Sequence, residues 1–227
     1  MGPYKQLMGN VLHEENLPVI TTTTVLAPFD FIADYMRGFT GIVGDARRNK
    51  QALYDACEAT LPFMLLRAST TPTGVNNMLF IPLHMPPFIS EKVFSELWWP
   101  SFKEMMDAYD EMGYHTNVFF EGDWTRYLDY LQDLPKYRTL GRFEYTDPKI
   151  AKEKLSKVMC MQGFYPMSNL TLLDKATCVD KAKELLDIVA PGGGYIFNTD
   201  KLTTRQEDIN FENLHAVYEC VKIYGRN

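Results

Sequence analysis

Two polar residues, Glu121 and His84, stand directly behind predicted buried strands and are of types that can do chemistry. Glu121 follows the apolar stretch 117–120, and His84 follows the apolar stretch 77–83. In a parallel α/β protein, the loops after the strands carry the catalytic and binding residues. A carboxylate and an imidazole on neighbouring loops can act as acid–base groups, and together they suit zinc or another divalent metal ion. The sequence therefore predicts catalytic and metal-binding roles for both residues.

Each of these residues also has a purely structural interpretation. Glu121 could accept backbone N–H bonds from the start of the next helix, where Asp123 occupies an N-cap position. His84 could be a loop histidine that is hydrogen-bonded to the backbone. His115 precedes its strand, and that end of a barrel serves stability, so a structural role is predicted for it.

Four further polar side chains follow or end the later strands and are predicted to contact a small-molecule substrate. They are Glu144, Gln162, Tyr165 and Asp200. For two of them another role competes with substrate binding. Glu144 could cap the helix that begins near Asp147, and Tyr165 could pack in the core.

Six strand-then-helix units are predicted to position these residues. The predicted strands are 17–25, 77–83, 117–120, 138–143, 158–162 and 195–197. Strict alternation of strands and helices implies right-handed crossovers and a parallel sheet. Six such strands could form an open sheet, or most of an eight-stranded (β/α)8 TIM barrel, which typically needs about 250 residues.

Helix boundaries are predicted from capping residues. Ser90 is expected to cap a long helix, and Asp147 before Pro148 is a strong helix start. Thr177 with Asp180 predicts another start in the manner of a capping box. Pro62 predicts a kink or a restart in the helix that follows Asn49.

Composition excludes several classes of function. The chain has 227 residues, enough for a single domain spanning 1–227 with a large core. Its formal net charge of −6 argues against a nucleic-acid surface. No apolar run approaches the roughly 18 residues that a membrane span needs, and the first residues lack the order of a signal peptide. Four scattered cysteines without a Cys-x-x-Cys pair are expected to be reduced, as is typical of a cytoplasmic protein.

Five short motifs in this order resemble the uroporphyrinogen decarboxylase superfamily, and the similarity covers residues 27–225. The motifs are Ala27-Pro28-Phe29 with Arg37-Gly38, the stretch 88–100, Gln162-Gly163-Phe164-Tyr165-Pro166, Gly194-Tyr195-Ile196-Phe197-Asn198 and Glu212-Asn213. The resemblance implies a (β/α)8 barrel, here incomplete because two β/α units that the family has before Ala27 are missing.

The corrinoid-dependent methyltransferases of this superfamily are the members that the chain resembles most. They bind zinc through a His-x-Cys pair at the position of Phe119-Phe120-Glu121, and through a Cys after the last strand. This chain has Thr199-Asp200-Lys201 there instead. The decarboxylase's His after that strand is also absent, with Lys201 nearest. Neither catalytic set is present intact.

The resemblance implies a methyltransferase-type enzyme that moves a methyl group between a small substrate and a corrinoid, or a similar carrier, supplied by a partner protein. Two alternatives stay open. One is a tetrapyrrole decarboxylase, and the other is a non-catalytic barrel subunit. An incomplete barrel leaves unpaired strand edges. We therefore expect a homo-oligomer, a partner chain that completes the barrel, or coverage by the residues before Ala27. The Trp98-Trp99 helix is a second candidate interface.

Overall fold

Six short β-strands form one parallel sheet in this computed structural model, which describes residues 21–225. The strands are β1 Thr21–Thr24, β2 Met78–Leu83, β3 Thr116–Phe120, β4 Thr139–Phe143, β5 Cys160–Tyr165 and β6 Tyr195–Thr199. They pair in sequential order, and every pair is parallel. The predicted fold, an incomplete barrel of six β/α units, is confirmed. Residues 17–20 of the first predicted strand lie outside the described residues.

Helices follow the strands in strict alternation. They are α1 Pro28–Ile32, α2 Gly38–Arg48, α3 Lys50–Ala68, α4 Glu91–Val93, α5 Trp99–Glu111, α6 Leu128–Leu131, α7 Pro148–Leu155, α8 Asn169–Leu172, α9 Lys175–Val189 and α10 Phe211–Tyr224. Two π-helical segments, Ala33–Arg37 and Phe94–Trp98, join α1 to α2 and α4 to α5. None of the helices in the described range is long and apolar enough to cross a membrane.

The core lies between the sheet and its helices. Along β2, Leu79, Ile81 and Leu83 are fully buried and alternate with partly exposed residues, as expected for a strand covered by helices on one face. Large aromatic side chains fill the space beneath α4 and α5. Phe94 stacks on Tyr127 with ring centroids 3.8 Å apart. Burying each such side chain contributes about 1.5–3 kcal/mol.

Two of the predicted helix starts are confirmed and one is wrong. Ser90 Oγ accepts the Val93 N–H, and Asp147 accepts N–H groups from Lys149 and Ile150. The start at Thr177 is wrong because Asp174, three residues earlier, accepts the Thr177 N–H and so begins α9 at Lys175.

The helix containing Pro62 does not restart. It runs without a break from Lys50 to Ala68, with Thr60, Leu61 and Met64 buried around the proline. Burial of these neighbours against the core stabilises the helical backbone on both sides of the missing N–H group.

The sheet is curved, and its concave face carries several polar side chains that bond to one another. Gln162 Nε2 on β5 donates to Asn117 Oδ1 on β3 at 2.9 Å, across the intervening strand β4. Arg142 Nη2 on β4 donates to the Thr199 carbonyl on β6 at 3.0 Å, across β5. Strands two apart in a flat sheet are about 10 Å from each other, so such contacts need curvature toward this face. Within the described residues β1 and β6 each pair on one side only, so the sheet is open.

Strand β5 extends three residues beyond the predicted end at 162 because of Gly163. This residue has φ +95°, and the strand continues through it to Tyr165. A Cβ at this position would lie 2.4 Å from the Phe143 carbonyl oxygen. Only glycine therefore allows β4 and β5 to approach this closely.

Gly163→Ala should strongly destabilise the chain, and Gly192→Ala is its matched control. Gly192 also has a positive φ, of +80°, but a Cβ there has nothing within 4 Å. Both variants incur the left-handed backbone cost of about 1–2 kcal/mol. Only Gly163→Ala adds a clash with backbone, so its unfolding free energy should fall by about 2 kcal/mol more. Urea unfolding of both variants measures this. Equal losses would mean that β4 and β5 are not held this close.

Candidate functional site

A chain of polar contacts runs around the carboxyl ends of the strands. His84 follows β2, Glu121 follows β3, Glu144 follows β4 and Asp200 follows β6. The structure brings the first two into direct contact, because His84 Nδ1 lies 2.9 Å from Glu121 Oε2. Both side chains are about two-fifths exposed, at 38% and 42%. They are therefore reachable by a substrate.

His84 lies between two carboxylates. Its other ring nitrogen, Nε2, is 3.7 Å from Asp34 Oδ2 in the π-helical segment after α1. A carboxylate has no proton to donate in its ionised form, so Nδ1 must carry the hydrogen in its bond to Glu121. In the neutral form of the ring, Nε2 then keeps an acceptor lone pair on the side of Asp34.

The backbone of His84 is fixed by Asp30, which is completely buried. Asp30 Oδ1 accepts the N–H groups of His84 at 2.6 Å and of Met85 at 3.1 Å. Its Oδ2 accepts the Trp98 indole N–H at 2.5 Å. Burial raises the pKa of Asp30 to about 6, against the opposing effect of these three donors.

The loops that carry His84 and Glu121 pack tightly on each other. Gly122 has φ +77°, and a Cβ there would lie 2.7 Å from Pro87 Cγ. Arg126 Nη2 donates to the carbonyls of Pro86, Pro87 and Ile89 at 2.9–3.1 Å. The segment after β3 therefore holds the loop after β2, and this holds the imidazole against the carboxylate.

The residues at the carboxyl ends of the strands form the rim of the sheet. Glu144 links the loop after β3 to Lys201 at this rim. Its Oε2 accepts the Gly122 N–H at 2.8 Å, and its Oε1 accepts from Lys201 Nζ at 2.8 Å. Burial favours the neutral acid, but these bonds outweigh it and lower the pKa of Glu144. The same bond, with one from Lys201 to the Tyr145 hydroxyl, raises the pKa of Lys201. Glu144 therefore supports the Glu121–Gly122 loop and does not cap a helix.

A cleft of about 320 Å³ opens beside His84 at the β1 edge of the sheet. Aromatic and aliphatic side chains, among them Phe31, Tyr35 and Phe63, form most of its wall, and Asp34 and Arg67 add charge. Sites for small molecules have this mixture of apolar wall and few polar groups. A larger cleft of about 480 Å³, lined by residues 186–193 and 224–225, lies at the opposite end of the sheet. It is remote from the rim.

Three of the predicted substrate contacts are engaged by other groups of the chain. Gln162 is the third residue of β5 and lies below the rim, bonded to Asn117. Tyr165 is 1% exposed, and its hydroxyl donates to the Cys178 carbonyl in α9, so it packs in the core. Asp200 is 2% exposed, and its Oδ1 accepts the N–H groups of Met167 and Lys201. It shapes the turn after β6.

The donors around His84 do not fit a zinc site. A catalytic zinc ion needs three protein ligands that converge on one point. Glu121 and Asp34 approach opposite nitrogens of the same imidazole, so the three groups surround the ring and share no common point. Over residues 21–225, no group of three or more His, Cys, Asp and Glu side chains could hold a metal ion.

The sequence interpretation missed Asp30, Asp34, Arg142 and Lys201. Lys201 is the second residue after β6, next to Asp200, so the rule that selected Asp200 also applied to it. Arg142 had a visible signal, because it is a cation between Gly141 and Phe143 inside a strand predicted to be buried. Asp30 and Asp34 lie in the apolar start of a helix, and no local pattern shows that they meet His84.

Asp30→Asn should destabilise the chain by about 1–3 kcal/mol near pH 7, because an amide leaves one buried N–H group without an acceptor. The loss should be larger at lower pH. The pKa of Asp30 is raised from 3.8 to about 6, so its contribution is full below about pH 4 and is lost as the pH rises through about 6. The difference between the two chains should therefore shrink by up to about 3 kcal/mol from pH 4 to pH 7.

Urea unfolding of both chains at pH 4, 5, 6 and 7 measures this difference. If the difference instead grows with pH, the three N–H donors outweigh burial, and the pKa of Asp30 is lowered.

Solved structures with a similar fold include a methyltransferase from Methanosarcina mazei, which matches with a TM-score of 0.68 at 12% sequence identity. The match covers 94% of this chain and 62% of that chain, so this chain spans only part of the length of its neighbour. No model of a known protein family matches the sequence, and no curated protein is similar to it. The likeness shows a shared barrel-type fold of parallel β/α units, and the superfamily assignment stays a prediction.

Proposed function

We propose that the chain is a methyltransferase-type enzyme of the uroporphyrinogen decarboxylase superfamily that acts on a small molecule bound beside His84. The bond of 2.9 Å between His84 Nδ1 and Glu121 Oε2 carries this proposal. A histidine that is oriented by a carboxylate and borders an apolar cleft is a common general base. The methyltransferase among its structural neighbours supports methyl transfer as the reaction.

In this proposal His84 takes the proton of the methyl acceptor. An acceptor X–H in the cleft gives its proton to Nε2 while X forms a bond to the methyl carbon. The bond between the methyl group and its donor breaks, and the donor leaves with that electron pair. Glu121 holds the tautomer that leaves Nε2 free to accept. The imidazolium formed would lie between the carboxylates of Glu121 and Asp34.

Other parts of the sequence interpretation stay predictions. A corrinoid on a partner protein would be the methyl carrier. A divalent ion at Glu121 and His84 would need donors beyond the described residues, and elemental analysis of the purified protein tests for it. The open sheet supports a partner chain or a second copy, and light scattering tests for assembly. It equally supports a non-catalytic barrel subunit, which would lack methyl transfer altogether.

His84→Asn and Glu121→Gln should each lower kcat by about 100- to 10,000-fold, the usual contribution of a general base. Asn keeps a donor to Glu121 but is no base, and Gln removes only the carboxylate charge. Both residues are about two-fifths exposed, so unfolding free energy should change by less than about 0.5 kcal/mol. The assay follows loss of methylcobalamin with 2-mercaptoethanol as the acceptor.

Glu153→Gln is the control, since Glu153 is an exposed carboxylate on α7, and it should leave the rate unchanged. An active wild-type chain whose rate is unaffected by both site variants would place the reaction elsewhere. No methyl transfer by the wild-type chain, with this thiol and a panel of small alcohols and amines, would favour the non-catalytic alternative.

A further inference from the structure

Arg142 is a buried cation without a matching anion. It is the fourth of the five residues of β4 and is 8% exposed. Its Nη2 donates to the backbone carbonyl of Thr199, and its Nε is buried with no partner. Within residues 21–225, its guanidinium forms no ion pair, unlike those of Arg37, Arg138 and Arg205.

Burying an unpaired cation of this kind lowers the free energy of unfolding. Burial lowers the pKa of Arg142, and Asp200 and Glu144 only partly oppose this from a distance. Both carboxylates are already engaged, Asp200 by Met167 and Lys201 N–H groups and Glu144 by the Lys201 ammonium. Buried charges in proteins are normally paired, and an unsatisfied buried donor calls for a specific explanation. The fold alone gives Arg142 no such pairing.

The surroundings of Arg142 resemble the floor of a binding site. Its guanidinium carbon lies 5.3 Å from the centre of the Phe119 ring, a cation–π contact. Gln162 Nε2 donates to Asn117, and its Oε1 accepts from Asn198 Nδ2 at 3.3 Å. These amides line the concave face of β3, β5 and β6, next to the guanidinium.

The residues around Arg142 lie close to those at the carboxyl ends of the same strands. Phe119 and Arg142 are register partners on β3 and β4, and Glu121 and Glu144 follow them by two residues, just past the ends of these strands. Glu121 is bonded to His84, so a molecule that contacts both His84 and Arg142 must extend from the cleft across β3.

We propose that Arg142 binds an oxyanion, a carboxylate or a phosphate group, of the small molecule on which the enzyme acts. The inference rests on the proposed function for the identity of that molecule as substrate, and on the geometry alone for the anion site. Guanidinium groups bind both oxyanions through paired N–H donors, which Lys cannot imitate. The unpartnered Nε–H and the aromatic and amide walls then become the specificity elements for an acidic substrate.

The test uses the full chain, with inorganic phosphate and acetate as probes at constant ionic strength against chloride. Arg142→Met removes the charge and every donor while keeping a long side chain. Arg138→Met is the matched control, because Arg138 directly precedes the same strand, near the end opposite Arg142, and pairs with Asp110 at 2.6 Å. Thermal unfolding is followed for all three chains.

We expect one of the two probes to raise Tm by about 3–5 °C at ten times its Kd, in the wild-type chain and in Arg138→Met. Arg142→Met should lose this shift and should melt at or above the wild-type temperature in chloride, because it no longer buries an unpaired charge. The probe that acts, phosphate or acetate, identifies the group on the substrate.

The wild-type chain gives an independent measurement that needs no variant. The NMR signal of the Arg142 Nε–H group should move saturably with the same probe, because Nε is enclosed and must change its surroundings when the anion binds. Equal Tm shifts in all three chains, or no saturable movement of this signal, would overturn the proposal. So would a lower Tm of Arg142→Met without any probe effect, since Arg142 would then only anchor Thr199. None of these readouts depends on methyl transfer.

Discussion

Asp30 has no exposed surface, yet its two carboxylate oxygens accept N–H groups from His84, Met85 and Trp98. These bonds join the start of α1 to the loop after β2 and to the helix that follows it. A loop after a strand normally has unpaired backbone donors, and here a side chain from 54 residues earlier satisfies two of them. This single buried acid therefore fixes the backbone that carries the His84 ring toward Glu121. Burial disfavours its ionised form, so the site is held by a group that is itself under electrostatic strain.

Glu144 and Lys201 form an ion pair at the rim, whereas the charge of Arg142 on the concave face is unpaired among the described residues. At the rim, Glu144 and Lys201 pair at 2.8 Å across the intervening strand, and each stabilises the charged form of the other. Two residues before Glu144, Arg142 has a backbone carbonyl and an aromatic ring as neighbours, and its Nε has no partner. The Glu144–Lys201 pair therefore needs no ligand to balance its charges, whereas Arg142 has no such pairing within residues 21–225. This contrast supports an anion-binding role for Arg142 on the concave face.

Sequence reasoning predicted the strands, their order and the rim positions of His84, Glu121 and Glu144, because strand alternation and the strand-to-loop rule are local patterns. It could not predict the partners. The bond from His84 to Asp30 and that from Lys201 to Glu144 join residues 54 and 57 positions apart, and no periodicity encodes them. The predicted strand ended too early, at 162, because Gly163 is a strand residue with a positive φ.

Every strand in the described sheet pairs only with its neighbours in sequence. A closed barrel must also bring its first strand to its last, and that contact closes the longest loop in the fold. Loop closure carries an entropic cost before any contact repays it, and folding slows as the mean sequence separation of contacts grows. An open sheet of six sequential units avoids this step. Each unit can add to the one before it, so residues 21–225 are suited to fold progressively from one end as the chain leaves the ribosome.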